Sequence, residues 1–345
     1  MARSGRLRVG IIGASGYTGV ELLRLAAQHP DYELVVATGD TQAGTLAGSL
    51  YPSLAVRYPE LVFTEFDEDV AAGLDLVFLG LPHEASMELA PRLVGKVGCV
   101  VDLSAAYRLK DASLYPGWYG FAHDQPDMLA EAVYGLPELY RTDLKGARLV
   151  ATPGCHVTAA SLALQPLVAR GLIEPSGIIV DNATGLTGAG RALKHGSIFC
   201  TVDENFEAYG LLDHRHTPEI EQVVGAQVLF TPHLAPMNRG ILSTCYARPA
   251  EGAALSTDSL LATLREAYAD EPFVAVRKES PSTKATQASN AVHLTARYDE
   301  RTGWVMVICA IDNLTKGASG GAVQAANVAL GLDETAGLTS VGVYP

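Results

Sequence analysis

The sequence predicts an α/β chain in two parts. A parallel sheet clothed by helices should occupy residues 1–150, and an α+β region with a mixed, largely antiparallel sheet should follow. Three observations predict it. Short apolar runs alternate with helical patterns through the first third. A glycine-rich turn, Gly13-Ala-Ser-Gly16-Tyr-Thr-Gly19, follows the first apolar run directly. Beyond Pro153 the pattern changes to longer strand-like runs, with connections that suit antiparallel pairing.

Taken in order, Leu7–Ile12 reads as a buried strand and Val20–Gln28 as a helix that stops at His29-Pro30. Glu33–Thr38 is a second strand. Asp75–Gly80 and Gly98–Leu103 are two more, with a helix over Glu84–Val94 between them, and Arg148–Thr152 is a fifth. Strands that alternate with helices pair in parallel, with helices on both faces. After Pro153 comes a helix over about 156–170, and then strands at Gly177–Asn182, Gln227–Thr231, Ile241–Ala247, Ala291–Tyr298 and Trp304–Ile311. Residues 317–331 read as a closing helix. The sequence shows no internal repeat and no low-complexity tract.

A chain of 345 residues is long enough for two domains. With 48% hydrophobic and 18% charged residues, it can bury a core. Its 25 basic and 38 acidic residues give a formal charge of -13. Such a surface repels duplex nucleic acid and anionic membranes, and it accepts an anionic small substrate only where a local Arg or Lys overrides the general field. No window reaches the ~18 apolar residues of a membrane span. Residues 1–12 hold three arginines, but their apolar run is too short for a signal peptide, which predicts a cytoplasmic protein. The cysteines Cys99, Cys155, Cys200, Cys245 and Cys309 are odd in number and include no Cys-x-x-Cys pair. That predicts neither a disulfide framework nor a cysteine-based zinc site.

The turn Gly13–Gly19 is a Gly-x-x-Gly-x-x-Gly variant of the dinucleotide fingerprint. Glycine permits the tight turn, main-chain amides approach a pyrophosphate, and the helix N-terminus offers the positive end of its dipole. Ser15 and Thr18 can add hydroxyl donors. A plain strand-to-helix turn would look similar, but the placement at the start of an alternating β/α pattern favours a cofactor. The end of the second strand reads Thr38-Gly-Asp40-Thr41. Asp40 suits a ribose 2′-hydroxyl and repels a 2′-phosphate, so this residue by itself leans towards NAD.

Four cysteines lie inside apolar runs and read as small buried hydrophobes. Cys155 differs, because it follows Pro153-Gly154 and opens a helical stretch. The partial positive charge of a helix N-terminus lowers a thiol pKa and favours the nucleophilic thiolate, and the same amides can hold an oxyanion. A thiolate needs a proton partner. His29 precedes Pro30 and reads as surface; His233 and His293 sit in or beside strands and read as structural; the direction of His156 is set by its helix. His214 and His216 stand just before Thr217-Pro218, a helix-start pair that places them on a rigid loop suited to acid/base work. His-x-His supplies two metal ligands and no third has convincing spacing, so no metal is expected.

Together these pieces resemble the N-acetyl-gamma-glutamyl-phosphate reductase family, within the aspartate-semialdehyde dehydrogenase-like superfamily. The resemblance spans essentially the whole chain. It is carried by GASGYTG (13–19), FLGLPH (78–83), VDLSAAYRL (101–109), YGLPE (134–138), TPGCHVTA (152–159), NATGLTGAGR (182–191), ENFEAYG (204–210), HRHTPEIEQ (214–222), HLAPMNRGILST (233–244) and IDNLTKGASGGAVQAANV (311–328). It implies a Rossmann-like N-terminal domain (1–150) that binds NADP(H), a catalytic and subunit-pairing domain (151–316), and a C-terminal segment (317–345) returning to the first. It implies Cys155 as nucleophile, His216 as acid/base, and Arg108 and His214 as substrate contacts. Cofactor contacts are implied at Gly13, Ser15, Gly16, Tyr17, Thr18, Gly19, Thr38, Pro82, Ser104, Asn313 and Gly317. The implied reaction reduces an acyl phosphate to an aldehyde through a thioester in arginine biosynthesis, within a dimer or tetramer. The chain departs from the family pattern at Ala106-Tyr107, often Asp-Phe, and at Ser319-Gly-Gly321, often Ala-Gly-Gln. A related reductase of lysine biosynthesis acting on a carrier-linked aminoadipyl phosphate is the nearer rival, and a non-catalytic nucleotide-sensing protein the remote one.

Overall fold

The structure, a computed structural model, describes residues 5–345. The reading of the N-terminus for targeting signals also draws on residues 1–4, which lie outside the described residues. The chain forms two compact units. One holds the residues up to Lys110, Asp124–Pro153 and Ala318–Leu338; the other holds Asp111–His123, Gly154–Gly317 and Thr339–Pro345.

The first unit is built on six strands: β1 (Leu7–Ile12), β2 (Tyr32–Ala37), β3 (Leu76–Leu79), β4 (Cys99–Asp102), β5 (Val133–Tyr134) and β6 (Leu149–Ala151). Their order is β2-β1-β3-β4-β6-β5 and every pairing is parallel. All residues of β3, β4 and β6 are buried, as befits strands covered on both faces. The order reverses between β1 and β3, and open α/β sheets bind ligands at the carboxyl ends of the strands where such a reversal occurs. The helix Gly320–Leu330 is made mainly of small and apolar residues and is buried all round as far as Ala329. Its Ala322, Val323 and Ala326 share a core with Val9, Ile11, Phe78 and Val101.

Two local expectations change here. The first helix begins at Tyr17 rather than Val20, with Gly19 inside it. A Cβ on Gly19 would lie 2.4 Å from the Gly13 carbonyl oxygen, so this glycine serves the close approach of helix to turn and does not break the helix. His29 is not a surface residue: it is 4% exposed, its Nε2 lies 3.0 Å from Asn327 Oδ1, and its ring stacks on Tyr32. Pro30 turns the chain so that the imidazole folds under the closing helix, where burial lowers its pKa.

The second unit carries seven strands: β7 (Ile178–Thr184), β8 (Glu207–Ala208), β9 (Val228–Leu234), β10 (Ile241–Ala247), β11 (Val274–Val276), β12 (Val292–Asp299) and β13 (Trp304–Ile311), in the order β11-β12-β13-β10-β7-β9-β8. The pairs β11·β12 and β7·β9 are parallel and the other four antiparallel, a mixed and largely antiparallel sheet. Residues along β7 and β10 alternate between buried and half-buried, the mark of a sheet with one covered face. The helix Cys155–Ala169 covers that face against β10 and β13. On the opposite face Ile179, Tyr246, Trp304 and Met306 line an open cavity of about 430 Å³. The edge strands β5, β8 and β11 were not read from the sequence, since two or three residues carry no periodicity.

Gly13 has φ +86°, and a Cβ there would meet the Gly80 carbonyl oxygen at 2.3 Å. We expect Gly13→Ala to destabilise the protein by about 2–3 kcal/mol, from left-handed strain plus the displaced β3 loop, as read by urea unfolding. Unchanged stability would mean that this turn is not constrained as described.

Candidate active site

Gly154 is the N-cap of the Cys155 helix, and no side chain caps that helix start from its own N-cap position. The Gly154 amide instead donates to Glu219 Oε1 at 3.0 Å, and Glu219 is wholly buried in the first turn of the helix Thr217–Val224. His216 is the N-cap of that second helix, one residue earlier than Thr217, to which the sequence assigned the role. A Cβ on Gly154 would lie 2.3 Å from His216 Nε2. The imidazole therefore rests against the residue preceding Cys155, at a spot only glycine can leave open. Gly317, read as a cofactor contact, approaches Cys155: a Cβ there would stand 2.9 Å from Cys155 Cβ.

Three imidazoles gather beside this point. Ring centroids of His156 and His214 are 5.6 Å apart, those of His156 and His216 5.5 Å, and those of His214 and His216 4.8 Å. Their candidate ligand atoms all lie within 4.8 Å of one another, which corrects the expectation that no third histidine joins the His-x-His pair. The third is His156, whose helix aims it inward. Both of its ring nitrogens are already engaged: Nδ1 lies 3.2 Å from Asn182 Nδ2, and Nε2 lies 3.0 Å from Tyr209 Oη. The cluster is therefore a hydrogen-bonded network that a metal would have to break. Burial, with His214 nearby, pushes the His156 pKa down to about 3. Burial, assisted by Arg215 against the pull of Asp213, lowers His214 to about 4. The His214 Nδ1 accepts a hydrogen bond from the His216 amide at 3.1 Å. His214 and His216 are half-buried, not loop-exposed.

The other cysteines divide unexpectedly. Cys99, Cys245 and Cys309 are buried, as read, and burial raises their thiols, to about 12 for the first two. Cys200 is exposed. Its run IFCTV forms a short surface helix, Phe199–Val202, on which Phe199 is 76% exposed, so an apolar run did not signify burial here.

In the first unit, Thr38, Pro82 and Ser104 follow the carboxyl ends of β2, β3 and β4, as the glycine turn follows β1. The turn fits a pyrophosphate. A Cβ on Gly16 would have only the Gly13 carbonyl oxygen within 4 Å, at 3.6 Å, and the first-turn amides of Tyr17 and Thr18 lack intrahelical acceptors. Ser15 does not offer its hydroxyl to a phosphate as expected; it donates to the Gly39 carbonyl at 3.0 Å. Thr38 is buried and its Oγ1 accepts from the Gly13 amide at 3.1 Å, so it braces the turn. Ser104 donates to Asp102 Oδ2 at 2.7 Å. Arg108 is 7% exposed; its Nε donates to the Thr152 carbonyl at 2.6 Å and its Nη2 to the Leu103 carbonyl at 2.8 Å, next to the ends of β6 and β4. The departure at Ala106-Tyr107 leaves this loop tied down, since Tyr107 Oη donates to Gln125 Oε1 at 2.8 Å and the Ala106 amide to Ser104 Oγ at 3.0 Å. In the second unit Asn313 is spent internally, on the Gly240 amide and Thr187 Oγ1.

Residues 8–147 match the family model described as the NAD binding domain of semialdehyde dehydrogenase, and residues 155–313 match its dimerisation domain. The chain is similar to the N-acetyl-gamma-glutamyl-phosphate reductase of Symbiobacterium thermophilum, 48% identical with 98% of this chain and 99% of the relative covered. It is 46% identical to that of Geobacter sulfurreducens, with 98% and 100% covered. The chain belongs to the N-acetyl-gamma-glutamyl-phosphate reductase family. The fold of this reductase matches solved aspartate semialdehyde dehydrogenases. Enzyme II of Vibrio cholerae complexed with ASA superposes with TM-score 0.69 at 16% identity, over 94% of this chain and 98% of that one. The Candida albicans enzyme with NADP matches with the same score, identity and coverage. Among the described residues of the reductase, no helix is long and apolar enough to cross a membrane.

The residues that sequence reasoning missed are Glu219, Asn182 and Tyr209. Glu219 lies three residues after His216, a helical spacing that could have marked it. The other two meet His156 only through the fold.

Two predictions follow from this geometry. Native protein should lose two thiols to iodoacetamide, those of Cys155 and Cys200, and five after unfolding; reaction at Cys99, Cys245 or Cys309 in the folded state would contradict their burial. His156 and His214 are disfavoured as cations when folded but titrate near 6.5 when unfolded. Their contribution is therefore intact above about pH 6.5 and lost as the pH falls towards 4, because the unfolded chain alone takes up the protons. The melting temperature should drop across that interval, and His214→Gln should flatten the drop; an unaltered profile in that variant would refute the assignment.

Proposed function

We propose that the chain reduces N-acetyl-L-glutamyl 5-phosphate to N-acetyl-L-glutamate 5-semialdehyde, releasing phosphate, with NADPH as reductant. The observation that carries the chemistry is the His216 imidazole lying against Gly154 beside the helix-start thiol of Cys155. The substrate rests on the names of relatives at 44–48% identity.

The Cys155 thiolate attacks the acyl carbon, a carbon–sulfur bond forms and phosphate leaves with the oxygen that bridged it. The thioester divides one hard step into two. A nicotinamide cofactor held at the glycine turn of the first unit would supply the hydride that reduces the thioester carbon. The resulting tetrahedral oxyanion collapses, the carbon–sulfur bond breaks, and His216 returns a proton to the departing sulfur. His214, lowered to about 4 by burial, is poorly matched to proton transfer at neutral pH, which supports His216 over it. Arg108 is the proposed contact for the substrate phosphate, its guanidinium held by two main-chain carbonyls. The residues at Gly13, Gly16, Tyr17, Thr18 and Gly19 would cradle the pyrophosphate, with Pro82 and Ser104 at neighbouring strand ends.

NADP over NAD rests on the resemblance and on the NADP-bound relative; Asp40, exposed after β2, opposes it. The domain carrying the matched dimerisation model has an open sheet face around Trp304 and Met306, which we assign to pairing with a second copy. With all five cysteines free, we place the protein in the cytoplasm.

The test is an assay in the reverse direction with N-acetyl-L-glutamate semialdehyde and phosphate, run in parallel with NADP+ and NAD+. Cys155→Ser should abolish turnover while cofactor binding persists. His216→Asn should lower kcat by about 10²–10⁴-fold yet still acylate. Full activity of Cys155→Ser, or a greater loss in His214→Asn than in His216→Asn, would overturn the respective roles.

A further inference from the structure

The chain leaves β13 at Ile311 and turns back onto Cys155 within a few residues. Asp312 governs this turn. It is wholly buried, and its carboxylate accepts three main-chain amides. Oδ1 takes those of Leu314 and Thr315, each at 2.8 Å, the pattern of a capping carboxylate. Oδ2 takes that of Ala288 at 2.7 Å, from a separate segment ahead of β12. Arg239 Nη1 stands 3.5 Å from Oδ1 and supplies an opposite charge. The Asp312 carbonyl accepts from the Gly317 amide at 2.9 Å, and Thr315–Ser319 is a π-helical turn. Asn313 ties the same stretch to the Gly240 amide at 2.8 Å and to Thr187 Oγ1 at 2.9 Å. The turn brings Gly317 so close to Cys155 that a Cβ on it would lie 2.9 Å from the Cys155 Cβ and 3.3 Å from its Cα.

We propose that Asp312 is a positioning residue for the reaction, which seats Cys155 at the start of its helix through the main chain of Gly317. A carboxylate suits this place and a side-chain amide does not. Amides reach it from two segments, so both of its oxygens must accept. Asparagine would turn an NH₂ donor towards one of those amides and would leave Arg239 without its counter-charge. A loosened seat lets Cys155 drift from the first-turn amides of its own helix, whose positive potential favours the thiolate. It also spoils the line of attack, and a misplacement of about 1 Å can cost about 10²-fold in rate. Asp312 acts through Gly317, not by touching the reacting atoms.

The inference rests on Cys155 being the nucleophile, and the experiment separates the two. In cofactor-free enzyme with Cys200→Ser, which removes the other exposed thiol, iodoacetamide alkylation of Cys155 is timed at neutral pH. Residual activity is followed in parallel. Asp312→Asn should slow alkylation by about fivefold. It should lower kcat by about 10–10²-fold, with KM and the cofactor dissociation constant nearly unchanged. Gly317→Ala leaves the Asp312 carboxylate untouched but pushes a methyl at Cys155, and it should slow alkylation to a similar extent. That variant keeps the test decisive if Asp312→Asn fails to fold. The double variant should react no more slowly than the slower single one, because both changes act on one contact. A purely structural role would multiply the two effects. Multiplied effects, or an alkylation rate unmoved in either folded variant, overturn the proposal. Alkylation of Cys155 that spares activity would instead overturn the nucleophile assignment.

Discussion

The site depends on the absence of one side chain. With no Cβ at Gly154, the His216 imidazole occupies the space that any other residue would fill, 2.3 Å from where that carbon would stand. The Gly154 amide is held by Glu219, which sits in the helix that His216 caps. Two helix starts are thus joined by one steric allowance and one buried hydrogen bond, with Cys155 at one and His216 at the other. Because Glu219 and His216 share one turn, His216 and Cys155 cannot drift apart without breaking the buried hydrogen bond between the Gly154 amide and Glu219.

Around this joint burial disfavours the charged forms of two imidazoles, His156 and His214. His156 and His214 are lowered by burial, to about 3 and about 4. A cationic imidazole pair this close would be costly, and burial removes the charge instead of balancing it. Three clustered histidines would suggest a metal if ring distances alone were considered. The partners of His156 distinguish the cases, since its two nitrogens are occupied by an amide and a phenol.

Much of this was legible in the sequence because it is local. The alternation of strands with helices marked β3, β4 and β6 as covered on both faces, and the change of pattern after Pro153 marked the second sheet. Cys155 was distinguishable because Pro153-Gly154 before a helical stretch dictates its position. What was not legible is long-range. His29 read as surface since nothing nearby covers it, and Asn327, almost the length of the chain away, does so. Cys200 read as buried since its neighbours are apolar, yet no layer covers that segment. Ser15 read as a phosphate donor because its spacing allows it, but its hydroxyl proton is taken by Gly39, a residue beyond the second strand. Hydroxyl and imidazole partners depend on angles at a few ångströms, which periodicity does not encode.

The same scale separation resolves an apparent conflict of charge. A chain with formal charge -13 is a poor host for a phosphorylated acid if the whole charge acts at the site. At physiological ionic strength the screening length is about 8 Å, so most of that charge is invisible to a ligand beside Arg108. For the substrate proposed above, the relevant local charge is the guanidinium of Arg108, buried and oriented by the Thr152 and Leu103 carbonyls, with Asp102 nearby. Burial raises the Asp102 pKa, which weakens a neighbouring charge that would offset Arg108. The proposed phosphate contact therefore rests on a buried arginine whose geometry is set by two carbonyls, not on the distant acidic surface.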